Sequence, residues 1–355
     1  MPSPSVDIIV PVWNNTFETR ACLASLLEHS PDARLIIIDN GSSRETQLML
    51  EEFSEPLDDR ALFITSDRNI GLIPAINRGL ASSDSDFAVI VRPHVLVNHG
   101  WLDGLLEAAR NGIATPLFTG SGAPFVQAPT RDCSQMETCT VSFSVLALKG
   151  EMHMLIGGFD EQLDGGEWCL KDYVSRAWSR GYQTCITSRS KVSCGTENQL
   201  GSDARRQEQA NISKISYLER WGNSNHYGIY FGRETDAAGL AETVETILEG
   251  ARQNHRFTLL LHRRQNAIFR RMGWHALHTD IEIRVLSLFM GQRDLQKKVA
   301  ALRSLSPEII LVHGSEGAAI SGIDSALDFN AVADLIHKRT APPLAAEGTS
   351  PSEVP

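Results

Sequence analysis

The first hundred residues alternate between short apolar runs and segments with helical periodicity, and this alternation restricts the fold more than any other feature of the chain. The apolar runs are VDIIVPV (6–12), ARLIIIDNGSS (33–43), ALFITSD (61–67) and DFAVIVRPHVLV (86–97). Continuous apolar strands separated by helices are typical of a parallel sheet that is covered on both faces. The pattern therefore predicts an α/β fold.

Polar residues cluster where each of these predicted strands ends. The clusters occupy residues 13–15, 39–42, 67–69 and 92–94. In open α/β sheets, ligands bind in the crevice at the carboxyl ends of the strands. Four successive strands are therefore predicted to bring their polar ends to one binding site.

A second alternation begins after about residue 230. Three predicted strands, RFTLLLH (256–262), DIEIRVLSLF (280–289) and PEIILVHG (307–314), are separated by helical patterns. We predict a first α/β domain over 1–230 and a small Rossmann-like α/β domain over 231–340, without a glycine-rich nucleotide fingerprint. The tail, 341–355, is rich in Pro, Ala and Ser and is predicted to be disordered.

Charge and composition exclude several classes of protein. A net charge of −10 argues against a general nucleic-acid-binding protein, because neutralising phosphates requires a basic surface. No apolar run reaches the ~20 residues that span a bilayer, and the amino terminus lacks a secretory pattern, so we expect a cytoplasmic protein. The six cysteines form no CxxC pair, which predicts reduced core thiols and no zinc site.

Five segments occur in an order that resembles the family 2 glycosyltransferases. They are IIVPVWNN (8–15), IIIDNGSS (36–43), DRNIGLIPAINRGL (67–80), GGFDE (157–161) and RAWSRGY (176–182). The resemblance covers roughly residues 5–225. It implies a GT-A-type (Rossmann-like) mixed, mostly parallel sheet with helices on both faces, to which the smaller C-terminal α/β domain is appended.

The resemblance also implies a nucleotide-sugar pocket at the strand ends. By this comparison Pro11 and Trp13 lie along the base and ribose, and Asp39 accepts a hydrogen bond from the base. Asn69 and Gly71 shape the loop beside the diphosphate, since glycine permits close approach of the backbone. Read alone, the same residues also suit a turn, a packed aromatic side chain and a helix cap.

The chain departs from the family at the end of the fourth strand. Where the family has an Asp-x-Asp-like pair that holds a divalent cation, this chain has Arg92, Pro93 and His94. The carboxylate ligands that Mg²⁺ or Mn²⁺ prefers are missing, so we predict no metal-ligating residue and leave metal dependence open. Three interpretations remain: Arg92 and His94 replace the cation, the domain only binds, or the two residues are a solvated strand end.

The catalytic base is the next requirement, because an inverting transfer needs a carboxylate that removes the acceptor proton. The family supplies it shortly before an Arg-x-x-x-x-Gly helix, which corresponds here to Arg176 and Gly181. Asp172 is the first candidate and Glu167 the second. The alternative for Asp172 is a carboxylate that stabilises the amino-terminal end of its helix.

These patterns predict an inverting glycosyltransferase that moves a sugar from a nucleoside-diphosphate donor to a glycan or lipid-linked acceptor hydroxyl in cell-surface glycan synthesis. The alternative is a catalytically silent nucleotide-sugar-binding or interaction protein. The segment HRRQNAIFRRMGW (262–274) leaves peripheral membrane contact open, although a solvated helix face is the more common meaning of such a pattern. The oligomeric state is not predicted.

Overall fold

A computed structural model describes residues 3–130, 132–165, 167–196, 202–288, 291–315 and 326–338. The predicted disordered tail, 341–355, lies outside the described residues. None of the described helices is both long and apolar enough to cross a bilayer.

The first unit is built on a nine-stranded sheet in the described part of the chain. Its strands are β1 (Val6–Val12), β2 (Arg34–Asn40), β3 (Ala61–Ser66), β4 (Phe87–Val91), β5 (Val95–Leu96), β6 (Gly112–Thr119), β7 (Gln135–Glu137), β8 (Val145–Lys149) and β9 (Gln183–Cys194). Its helices are α1 (Thr16–His29), α2 (Arg44–Ser54), α3 (Leu72–Leu80), α4 (Trp101–Ala109), α5 (Gly150–Ile156), α6 (Trp168–Ser179) and α7 (Asp203–Trp221).

The strand order is β3-β2-β1-β4-β8-β6-β9-β5, and β7 pairs with β9. The first four strands in this order are parallel, β8 runs antiparallel between β4 and β6, and β9 is parallel to β6. The predicted mixed, mostly parallel sheet is therefore confirmed. Its four parallel strands are the four apolar runs of the first hundred residues.

Helices cover both faces of this sheet because successive strand residues point to opposite sides. Ile8 and Val10 of β1 pack in one core with α1, α2 and α4, whereas Ile9 packs in a second core with α3, α5 and α6. These three residues of β1 are fully buried, and burial of a large aliphatic side chain contributes roughly 1.5–3 kcal/mol to the stability of the fold. The continuous apolar runs follow from this two-sided burial.

The second unit contains a five-stranded, all-parallel sheet in the order β12-β11-β10-β13-β14. Its strands are β10 (His226–Tyr230), β11 (Arg256–Leu261), β12 (Ile281–Val285), β13 (Ile310–His313) and β14 (Leu327–Asp328). Its helices are α8 (Ala237–Arg252), α9 (Arg263–Arg271), α10 (Gly291–Leu305) and α11 (Phe329–His337). Short 3₁₀ turns complete the chain at Glu55–Arg60, Glu161–Leu163 and Trp274–Ala276.

The predicted three-stranded second layer was too small. It missed β10, the central strand, whose sequence HYGIY mixes polar residues and a glycine with its apolar positions, and it missed the two-residue β14. Because β10 belongs to the second sheet, the sheets divide between Trp221 and His226, slightly before the predicted boundary at residue 230.

The arginines of α9 are exposed, and the helix packs on the core of the second unit. Arg263 and Arg264 begin the helix, whereas Arg270 near its end pairs with Asp132 of the first unit at 3.1 Å. Phe269, the aromatic residue between them, is buried in the core of the second unit. The arrangement fits the simpler interpretation of a solvated helix packed on a core.

The two units meet along β7 and the turn before β12. The Arg252 guanidinium donates two hydrogen bonds of 2.6 Å to the Glu137 carboxylate. The Thr279 hydroxyl contacts the Thr138 hydroxyl at 2.9 Å, and Glu137 also forms an isolated β-bridge with His278. These contacts hold the second unit against the first unit's sheet.

Candidate functional site

The four polar strand ends lie side by side, as the sequence predicted. In the order β3-β2-β1-β4 the strands are parallel neighbours, so their carboxyl ends share one edge, which we call the rim. Asp39 ends β2 in register with Val12, and Arg92 directly follows β4. Only β1 lies between these two strands, so the backbone positions are separated by about 10 Å, two strand spacings.

Asp39 is fully buried, and one of its carboxylate oxygens is unused by the protein. Its Oδ1 accepts a hydrogen bond of 3.0 Å from the Ser42 backbone N–H. Its Oδ2 is buried and has no hydrogen-bond partner among the described residues. A buried acceptor without a partner costs roughly 1–3 kcal/mol, so this oxygen is suited to a ligand N–H.

Asn40 holds the loop between β3 and α3 against the rim. Its Oδ1 accepts from the Ile70 backbone N–H at 2.9 Å, and its Nδ2 donates to Asn69 Oδ1 at 3.1 Å and to the Gly71 carbonyl at 3.0 Å. The Asn69 Oδ1 also accepts from the Gly71 N–H at 2.8 Å. Asn69 thus shapes the loop rather than offering that oxygen to a ligand. The sequence placed Asn40 in the polar cluster 39–42 but assigned it no individual role.

Gly71 has a φ of 99°, in a region that favours glycine, and it precedes the first turn of α3. The helix then presents Ile73, Ile76 and Leu80 to the sheet at helical spacing. This local pattern is what turns the RNIG loop back toward the rim.

Two residues at the end of β1, Pro11 and Trp13, differ in their exposure. Pro11 is buried within the strand, in register with Ile38, so it supports the rim from below. Trp13 is only half-buried and remains accessible for stacking. The next residue, Asn14, has a left-handed φ of 56°, and its Oδ1 accepts from the Ser43 N–H at 2.7 Å.

Arg92 lies both on the rim and on the wall of a cavity of about 530 Å³. Its backbone N–H donates to the Ser144 carbonyl at 3.0 Å, which fixes the start of the side chain. His94 is turned toward the same serine, with its Nε2 3.2 Å from Ser144 Oγ, and it is not part of the cavity wall. The cavity volume lies within the usual range for ligand sites, ~300–1,000 Å³.

The rest of the cavity wall comes from segments that are distant in sequence. Phe125 and Phe143 provide aromatic surface, and Glu167 and Leu170 of the α6 region provide one acid and one apolar side chain. Because these residues come from separate loops, no local pattern could have assigned them to one site. Glu167 is the carboxylate in the described wall of this cavity.

The two candidates for the base occupy different environments. The Glu167 side chain is 59% exposed, and its Oε1 lies 2.7 Å from Lys171 Nζ. Asp172 is fully buried and is absent from the cavity wall. Its oxygens accept from Arg176 Nε at 2.8 Å, Arg220 Nη1 at 2.7 Å and Trp221 Nε1 at 2.9 Å.

The first-ranked candidate, Asp172, therefore fits a structural role, because its oxygens are occupied by donors that join α6 to α7. Of the two candidates, Glu167 is the one whose side chain lies on the cavity wall. Arg220 also bonds Asp160 at 2.9 Å, and Arg176 donates to the Gly158 carbonyl at 2.8 Å, so the same network holds the GGFDE segment.

The residues around Arg92 do not fit a hard divalent cation. Cys194 stands near the position of a family histidine, but burial raises the pKa of its thiol to about 11, so it stays protonated at neutral pH. The described residues contain one compact group of possible metal ligands, Cys139, His278 and Asp280, and it lies at the contact between the two units. There the His278 Nδ1 accepts a hydrogen bond of 3.0 Å from the Asp280 backbone N–H. The other ring nitrogen, Nε2, therefore carries the proton, and it lies 3.6 Å from the Cys139 sulfur.

Comparison with known proteins confirms the resemblance that the five sequence segments indicated. Residues 7–157 match the family described as "Glycosyl transferase family 2". TagX of Staphylococcus aureus (strain COL), a protein named as a glycosyltransferase, is 30% identical over 122 residues, which span 33% of this chain and 34% of TagX.

A protein of Caenorhabditis elegans named as N-acetylgalactosaminyltransferase 9 is 25% identical over 221 residues, or 51% of this chain and 37% of that protein. The chain therefore spans little more than a third of the length of these relatives. Among solved structures, GalNAc-T7 with UDP, GalNAc and Mn²⁺ superposes with a TM-score of 0.52 at 16% identity, over 61% of this chain and 48% of that chain. The GT-A-type fold predicted for the first unit is confirmed.

Proposed function

We propose that this chain, with its family 2 glycosyltransferase match over residues 7–157, is an inverting glycosyltransferase that uses Arg92 where its family uses a divalent cation. The donor is a nucleoside-diphosphate sugar bound along the rim. The acceptor is a hydroxyl of a glycan or of a lipid-linked sugar, held in the adjoining cavity.

One observation carries the proposal: the buried Asp39 carboxylate has an oxygen without a partner among the described residues, at the rim that ends with Arg92. A nucleobase N–H would satisfy that oxygen. Trp13 and the RNIG loop would then flank the ribose and diphosphate. The guanidinium of Arg92 can pair bidentately with diphosphate oxygens and stays charged at any physiological pH.

Glu167 is the proposed base. Its carboxylate removes the proton of the acceptor hydroxyl as that oxygen attacks the anomeric carbon, and the bond from that carbon to the diphosphate oxygen breaks with its electron pair leaving on the diphosphate. A single displacement of this kind inverts the anomeric configuration. The 2.7 Å contact with Lys171 orients the carboxylate on the cavity wall.

The proposal includes a place in cell-surface polysaccharide synthesis, with the reaction in the cytoplasm. The likeness to TagX, which is named as a glycosyltransferase, supports glycosyl transfer. A donor-binding protein without transferase activity is the second candidate. It is favoured by the residues Arg92, Pro93 and His94, which stand where the family has an Asp-x-Asp-like pair.

Thermal stabilisation by nucleotides tests the proposal most directly. The full chain is melted with UDP, GDP and dTDP and with their common sugar conjugates, in EDTA and in Mn²⁺. A ligand at a hundredfold over its Kd adds about 2.7 kcal/mol to the free energy of unfolding. We expect one nucleotide class to stabilise the protein in EDTA. Stabilisation by none of them, or only with Mn²⁺, would contradict the proposal, and donor binding without transfer to any acceptor would favour the second candidate.

A further inference from the structure

A second cavity, of about 390 Å³, lies where α6 and the start of β9 face α8 of the second unit. We call it the seam cleft. Its walls include Trp178, Tyr182 and Gln183 from the first unit and Glu249 and Arg252 from the second. Ligand sites of this size often form at the contact between two domains.

The seam cleft is separate from the cavity that contains Arg92. Arg92 follows Val91 at one end of β4, whereas Phe87, at the other end, is in register with Lys149 of β8. The Lys149 ammonium lies 6.0 Å from the centre of the Tyr182 ring. The two cavities share no wall residue, and these contacts relate them to opposite ends of β4, which lie ~13 Å apart.

Two half-buried aromatic side chains dominate the cleft, and each has an unused polar atom. The indole N–H of Trp178 and the hydroxyl of Tyr182 make no hydrogen bond to the described residues. A ring with an apolar face and a polar edge that faces solvent is suited to ligands that are themselves apolar on one side and hydroxylated at the edge.

The charges in the cleft argue against an anionic ligand. The guanidinium of Arg252 is already paired with Glu137 through two hydrogen bonds of 2.6 Å, and Glu249 adds a negative charge. A purely apolar ligand is disfavoured as well, because it would remove the charged Glu249 carboxylate from water, and that carboxylate has only a 3.5 Å contact with Gln253 among the described residues. The remaining match is a neutral polyhydroxylated molecule.

We propose that the seam cleft binds a neutral stretch of oligosaccharide, whose C–H faces pack on Trp178 and Tyr182 and whose hydroxyls bond Glu249, Gln183 and the aromatic polar edges. The cleft is preformed, since the Glu137–Arg252 pair and the Thr138–Thr279 contact hold the two units together at this place. Such a site would bind a glycan chain at a distance from the cavity in which transfer is proposed. This inference rests on the proposed function only for the biological source of that glycan.

Binding is tested on the full chain with a printed array of neutral oligosaccharides of glucose, mannose, galactose and N-acetylhexosamines, without nucleotide. The tightest saccharide is then titrated calorimetrically into wild type, Trp178→Ala and Tyr182→Ala. We expect each substitution to weaken binding by about tenfold or more, equal to about 1.4 kcal/mol. Met154→Ala, an exposed residue outside both cavities, serves as the matched control and should bind as wild type does.

Trp178→Phe keeps an aromatic ring in the cleft and serves as a second variant in case Trp178→Ala fails to fold. Thermal stabilisation by nucleotides measures separately whether the rim of each variant is intact. The inference is overturned if the wild type binds no saccharide on the array. It is also overturned if Trp178→Ala and Tyr182→Ala bind as tightly as wild type, or if binding is lost in Arg92→Ala instead.

Discussion

Asp172 of α6 accepts a hydrogen bond of 2.7 Å from Arg220 of α7, and with it the carboxylate joins two helices that frame the GGFDE segment. Its other donors, Arg176 and Trp221, leave it no free position toward solvent. This relationship separates the acid that supports the site from the acid that faces the cavity, and substitutions should distinguish the two.

Asp172→Asn should destabilise the protein by about 3 kcal/mol, because it removes the carboxylate partner of the mostly buried Arg176, whereas Arg220 keeps its ion pair with Asp160. The free energy of unfolding from urea titration measures this loss. Any transfer activity that survives should keep its KM for the donor. A variant as stable as wild type would show that the network is not structural.

Glu167→Gln should abolish transfer while leaving the fold intact. Loss of a general base typically lowers kcat by about 10²–10⁴-fold. The side chain is largely exposed, so the melting temperature and donor affinity should stay close to those of wild type. Glu151→Gln, which removes another exposed acid with a lysine partner, provides the control. Undiminished kcat in Glu167→Gln would remove this residue as the base.

Arg92→Ala should weaken binding of the nucleoside diphosphate more than binding of the nucleoside alone. A charge-assisted hydrogen bond contributes about 1.5–3 kcal/mol, or roughly ten- to a hundredfold in Kd. Isothermal titration with UDP or GDP, against uridine or guanosine, isolates the diphosphate contribution. Equal losses for nucleotide and nucleoside, or rescue of wild-type affinity only by Mn²⁺, would argue against a guanidinium in the place of a cation.

Asp39→Asn should lower nucleotide affinity by about tenfold or more without lowering stability. The amide oxygen can still accept from Ser42, but an NH₂ group replaces the unpartnered carboxylate oxygen and cannot accept a base N–H. Calorimetric Kd values and melting temperatures of the variant and of Asp32→Asn, an exposed control, test this. An unchanged nucleotide Kd in Asp39→Asn would show that the nucleobase does not bind at Asp39.

Stability should fall on acidification partly through His278. Burial lowers the pKa of this side chain to about 3 in the folded protein, against an ordinary value of 6.5. Between these values the unfolded chain binds the proton and the folded chain does not, so stability present above pH 6.5 is lost as pH falls toward 3, by up to ~1.4 kcal/mol per pH unit. Urea titrations of wild type and His278→Gln across this window should differ in slope. Parallel slopes would contradict the assignment.

Much of the first unit follows from local patterns. The runs that became β1, β2 and β4 are apolar because these strands are buried on both faces, whereas the edge strand β3 is only partly buried. The residues after the strands are polar because the carboxyl edge is open. The α3 segment likewise follows from Gly71 and its apolar spacing. These features depend on residues that are close together in the sequence, and the hydrophobic periodicity of the sequence therefore predicts them.

The remaining assignments needed long-range packing. The choice of Asp172 before Glu167 came from the family's spacing around Arg176. Only the packing shows that Asp172 is buried against α7, with donors on both of its oxygens. β10 became visible as a strand only through its pairing with β11 and β13.

The order of the segments and their hydrophobic periodicity are sufficient to predict an α/β chain, the parallel strands of its first sheet and the polar edge at their ends. These features depend on the type of each residue and of its neighbours in the sequence. The cavity between Arg92, Phe125 and Glu167, and the cleft between Trp178 and Arg252, exist only once segments 30 to 80 residues apart pack together. Which carboxylate meets solvent and which meets an arginine is settled by that packing, since burial and charge pairing depend on neighbours in space rather than in sequence.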